Sequence, residues 1–126
     1  MENALLDALR MEETDVDGAL YRLAGNEPLY LKLLTLFPAD PTIVTLQTAL
    51  EDAKWDDAFT AAHVLKGLAG NLGFMPLFHS IGALVIYIRE GRIQEIGGAF
   101  HRVQQDYSNI TFIIDKYLIP DRRIAT

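Results

Sequence analysis

Apolar residues recur three and four apart along most of the chain, the spacing of one helix face at roughly 100° per residue. Leu5, Leu6 and Leu9 mark a short amphipathic helix over residues 2–10 that covers one end of a larger bundle. Asp15 or Asp17 can cap a second short helix through Tyr21 and Leu23, stopped at Gly25-Asn26. Asn26 then caps a third, with Pro28 in its first turn and Tyr30, Leu33, Leu34 and Phe37 on its apolar face. Pro38-Ala39-Asp40-Pro41 ends that helix. Asp40-Pro41 is also a start signal, for a helix striped by Ile43, Leu46, Ala49, Leu50 and Ala53.

A charged turn over 52–57 leads into the next helix, with Asp56 or Asp57 near its start and Trp55 packing at the corner. Its core side is Ala58, Ala61, Leu65, Leu68 and Leu72. After Gly73, Phe74-Met75-Pro76 marks a break. Leu77, Ile81, Leu84 and Ile88 then stripe a helix that ends at Glu90-Gly91. The last segment is the most regular: Ile93, Ile96, Phe100, Val103, Tyr107, Ile110, Ile114 and Tyr117 form one seam, stopped by Ile119-Pro120. Such a seam serves an intramolecular bundle or a coiled-coil dimer. The other amphipathic helices favour the bundle, and strand-like alternation and internal repeats are absent from the sequence. The expected fold is all-α: an antiparallel four-helix bundle with short accessory N-terminal helices, one domain over 1–120 and a loose tail over 121–126.

Composition narrows the function without choosing it. Half the residues are hydrophobic, as in a globular domain. There is no cysteine, hence no disulfide, Cys-based zinc site or thiol nucleophile. A net charge of −6 argues against nucleic acid, which needs clustered Lys and Arg; the basic pair Arg122-Arg123 lies in the tail. No basic leader precedes an apolar run at the N-terminus, and no apolar stretch approaches the roughly 18 residues of a membrane span. A cytoplasmic location is expected. No Gly-rich phosphate loop and no paired catalytic carboxylates occur, so neither ATP binding nor unaided hydrolysis is expected. His79 and His101 lack Glu or His at metal-ligand spacing and read as lone histidines.

The stretch that resists a purely structural reading is Ala61 to Gly73. His63, Lys66, Gly67 and Gly70 share one stripe, away from the core side, with Phe59 a turn earlier. Each glycine costs about 1 kcal/mol against Ala inside a helix, so two on one face call for a close approach or a break. A bared imidazole next to an ammonium suits a transferable phosphoryl group: the ring is a nucleophile near neutral pH, and the cation offsets phosphate charge. Phe59 is either a docking contact or core, depending on the rotation of its turn.

The run His63-x-Leu65-Lys66-Gly67-x-Ala69-x-x-Leu72-Gly73 resembles the signature of histidine-containing phosphotransfer (HPt) domains. Leu29-Tyr30 to Phe37 and Leu84 to Gly91 agree more loosely, so the resemblance spans about residues 15 to 118. It implies a helical bundle that relays a phosphoryl group between receiver-domain aspartates without kinase activity of its own. His63 would be phosphorylated and Lys66 would steady the phosphate. Gly67 would admit the partner, with Gly70 and Phe59 as docking surface. Expected partners are response-regulator receivers and a hybrid sensor histidine kinase, met as a monomer; Mg²⁺ is expected on the receiver only, and no cofactor or metal on this chain. One departure stands out. Many HPt domains place a Glu or Gln after the position of Leu84 to accept from histidine Nδ1; here that residue is Val85, which cannot accept. Water or another group would then orient His63, or transfer would be slow. The alternative is a degenerate adaptor that binds receivers without transfer.

Overall fold

The computed structural model describes residues 3–118, and the stop at Ile119-Pro120, the tail and Arg122-Arg123 lie outside them. Seven α-helices follow in order: α1 (Ala4–Met11), α2 (Val16–Arg22), α3 (Glu27–Leu36), α4 (Thr42–Glu51), α5 (Trp55–Leu72), α6 (Met75–Arg89) and α7 (Ile93–Leu118). Side chains that can accept a hydrogen bond begin the first three. Asn3 accepts from Leu6 N–H, Asp15 from Gly18 N–H and Asn26 from Leu29 N–H, which assigns the second cap to Asp15 over Asp17. Asp40 accepts from Thr42 N–H at 2.8 Å, so the Asp-Pro start signal works one residue outside the helix proper. α4 stops at Glu51, short of Ala53, which turns the chain at φ 54°.

Three short connections fold α4, α5, α6 and α7 back and forth, and each packs on its neighbour in sequence. The backbones of α4 and α7 make no close approach to each other among the described residues. The fourth side is closed by α3, which reaches both α5 and α7, and by a 3-10 turn at Phe37–Ala39. The bundle therefore has four legs, of which the first, Glu27–Glu51, is bent at this turn. Phe37 fills the bend from within, its ring centroid 4.9 Å from Phe74 and 5.2 Å from Tyr107. α1 lies on α7 and α2 on α5, so the accessory helices are N-terminal as expected.

The leg Glu27–Glu51 is long enough, and over an 18-residue window of mean hydropathy 1.2 apolar enough, to cross a membrane by composition. In this fold it supplies Tyr30, Leu34, Phe37, Leu46 and Ala49 to the core. The α7 seam faces inward through its middle, where Ile96, Val103, Ile110 and Ile114 are buried. At its two ends Ile93 and Tyr117 are exposed.

Candidate functional site

The helix carrying His63 is anchored at its far end. The last carbonyls of a helix have no partner within it and must find one elsewhere. Phe74 N–H reaches Ala69 O at 2.9 Å, and Gly73 N–H reaches Gly70 O at 3.3 Å, the paired bonds of a Schellman ending. The Arg22 guanidinium donates to Gly70 O at 2.7 Å and to Asn71 O at 3.0 Å. The buried Tyr30 hydroxyl donates to Leu72 O at 2.8 Å. Burial pushes the Tyr30 pKa far above its usual range, which keeps the phenol protonated as a donor.

Gly73 is required here twice over. It sits at φ 84°, and a Cβ would collide with the Asp15 carbonyl oxygen. Asp15 N–H in turn donates to Gly73 O at 2.7 Å, pinning the start of α2 to the end of α5. The signature's last glycine thus belongs to the frame.

The middle of α5 contrasts with this. Ala58, Ala61, Ala62, Leu65, Ala69 and Leu72 are buried, and Leu68, expected among them, is half-buried. His63 and Gly67 are exposed and Lys66 is half-buried, so the stripe faces outward along the seam with α6. At Gly67 an added Cβ would meet nothing within 4 Å, and the expected clearance is present. At Gly70 the expectation of bare surface is corrected: a Cβ would press on the Phe78 ring at 3.1 Å, so that gap is filled from α6. The same ring lies under Lys66, whose Nζ is 5.3 Å from its centroid. Lys66 Cε passes 3.8 Å from where a Gly82 Cβ would stand. Phe78 and Gly82 thus shape the cation's seat, which the Lys66 stretch alone does not reveal. Their signal in the sequence is an aromatic and a glycine four apart, off the Leu77/Ile81/Leu84/Ile88 stripe.

Phe59 is half-buried, packs against the core, and lies parallel to the His63 imidazole with centroids 6.2 Å apart and 11° between planes. Its turn is thus rotated part-way inward: Phe59 packs on the core and borders His63. The antiparallel pairing of Lys66 with Gly82 and of Gly70 with Phe78 sets the register of α5 on α6. Continued by one turn, that register puts Val85 opposite His63. Val85 is buried and apolar. Among the described residues no hydrogen bond reaches either imidazole nitrogen, and the ring's contact is with Phe59. Val64 and Ile86 add exposed apolar surface on the two helices. On its other flank α5 shares an open groove of about 650 Å³ with α4, lined by Val44, Thr48, Ala61 and Val64 among others.

His79 and His101 are exposed and away from this stripe; the His79 ring meets Phe78 edge-on at 5.6 Å. Among the described residues no three His, Cys, Asp or Glu side chains cluster as metal ligands.

The family model for the Hpt domain matches residues 38–111, more than half of the chain, from the bend before α4 to the middle of α7. This range lies inside the 15–118 span of the sequence resemblance and contains His63, Lys66, Gly67 and Gly70. Neither the curated proteins nor the solved structures contain a match to the chain.

Proposed function

The chain belongs to the Hpt domain family, and on that premise we propose that His63 carries a phosphoryl group between receiver-domain aspartates. Hpt domains are phosphotransfer modules of phosphorelays that work with receivers and kinases and are not kinases themselves. The finer assignment rests on one observation: His63 is the signature histidine, exposed beside the open face of Gly67 and the seated cation of Lys66.

In the proposed step the Nε2 lone pair of neutral His63 attacks the phosphorus of a receiver phosphoaspartate. The Nε2–P bond forms, the aspartyl O–P bond breaks, and the carboxylate leaves with the bonding pair. The ring keeps its Nδ1 proton as a phosphoimidazolium and can release it to water. Transfer onward reverses these steps on a second receiver. Lys66 offsets charge on the phosphoryl oxygens. Positioning and electrostatics carry such transfers, and the receiver brings the aspartate and Mg²⁺. Gly67 leaves room for the receiver's loops, while Val64 and Ile86 offer apolar contact; Gly70 enters only through Phe78. A cytoplasmic setting suits these partners.

A receiver domain loaded with acetyl phosphate should transfer an acid-labile label to the wild type and none to His63→Gln. Label on both, or on neither with every candidate receiver, defeats the proposal. Val85 favours a second reading, a receiver-binding adaptor without transfer. It predicts receiver binding that survives His63→Gln with no label on the wild type.

A further inference from the structure

Transfer from a receiver needs more than an exposed imidazole. The Nε2 lone pair lies in the ring plane, so the plane must be set before an in-line approach to phosphorus can be productive. A side-chain acceptor behind Nδ1 is one way to set it. That way is closed here, because the residue facing His63 from α6 is Val85 and no described side chain accepts from the ring.

One neighbouring group can set the plane instead. Phe59 precedes His63 by one helical turn, and its ring lies 11° from parallel at 6.2 Å, within the range of an offset stack. Phe59 itself is packed against the core, so its plane is fixed by the bundle. Ring stacking restrains rotation about the terminal side-chain torsion, which is otherwise broad for histidine. It leaves the edge bearing Nε2 uncovered. A hydrogen bond would also select a tautomer; a stack selects only the plane.

We propose that Phe59 is a positioning residue for His63: its ring, clamped by the core, sets the imidazole plane for phosphoryl transfer where no side-chain acceptor does. The proposal rests on the reading of His63 as the transfer site. It differs from Phe59 as a docking contact, since docking alters how much receiver is needed and positioning alters the rate once it is bound.

The test is single-turnover transfer from an acetyl-phosphate-loaded receiver at graded concentrations, to wild type, Phe59→Leu, Phe59→Tyr and His63→Gln. Leu keeps apolar volume against the core, and Tyr keeps the ring as a second variant should Leu perturb folding. The maximal rate should fall roughly 3- to 10-fold in Phe59→Leu, the range a lost aromatic stack represents, with the half-saturating receiver concentration unchanged. Phe59→Tyr should restore the rate. In carbon–proton NMR spectra the His63 ring protons should show the ring-current shift of a stacked neighbour in wild type and Phe59→Tyr, and lose it in Phe59→Leu. A raised half-saturating concentration at unchanged maximal rate, or a Tyr variant as slow as Leu, overturns positioning while leaving transfer at His63 intact. A wild type that takes no label overturns the transfer reading, and positioning for transfer falls with it.

Discussion

The C-terminal end and the middle of one helix are built on opposite terms. At the C-terminus of α5 the carbonyls of residues 69–72 are each met by a donor: Phe74 and Gly73 N–H, the Arg22 guanidinium and the Tyr30 hydroxyl. Two turns back, His63 contacts an aromatic ring and no described hydrogen-bonding side chain. The contrast locates the source of rigidity. A reactive group that a partner must approach cannot be wrapped in its own chain, so the chain holds the helix by its end and keeps the working face clear. The frame is polar and saturated; the face is aromatic and open.

Substitutions should separate the two regions. His63→Gln is the largest functional break: it should abolish acid-labile label yet leave stability within about 0.5 kcal/mol, as for other exposed sites. Urea denaturation of the same sample checks the second half. Gly73→Ala is the largest structural break. The left-handed backbone alone costs a residue with a Cβ about 1–3 kcal/mol, and the collision with Asp15 O adds to it. A fall in the urea midpoint with loss of transfer in proportion to unfolding is expected.

Tyr30→Phe comes next. It removes the donor to Leu72 O and leaves a buried carbonyl unpaired, for about 1–3 kcal/mol. Its pH dependence has a definite sign. Burial raises the folded Tyr30 pKa above the unfolded value of about 10, so above that pH the unfolded chain binds fewer protons than the folded one. Stability is therefore complete below about pH 10 and declines above it, and Tyr30→Phe should flatten that alkaline decline; melts from about pH 8 to 11 measure it. Gly67→Ala is the smallest change and the sharpest contrast. With open space at the Cβ position, it should gain about 0.5–1 kcal/mol of helix stability. It should also slow transfer from a loaded receiver on the order of tenfold, because the added methyl stands in the partner's path. A variant both more stable and equally fast would show that the clearance at Gly67 has no use.

Much of the frame was legible in the pattern of residues. Caps at Asn26 and Asp40, the breaks at Gly25, Gly73 and Gly91, and the apolar stripes are local features, read within one or two turns. Their failures were local too. Ala53 fits the apolar spacing of α4 yet sits in the turn beyond it, because periodicity does not register where hydrogen bonding stops. Ile93 and Tyr117 fit the seam of α7 but are exposed at its two ends, because periodicity does not register how far the packing of neighbouring helices extends.

The order of residues alone dictates the helices, their inward faces and the stretch that carries His63, Lys66 and Gly67. What stands around that stretch is settled by the packing of the bundle. Gly67 and Gly70 look alike on one stripe, and one is open while the other is filled by Phe78 from the next helix. The donors that lock α5 come from Arg22 and Tyr30, 48 and 42 residues away in the chain. Periodicity encodes which way a side chain points; what it meets there is set by the register of another helix, and that register is a property of the packed bundle.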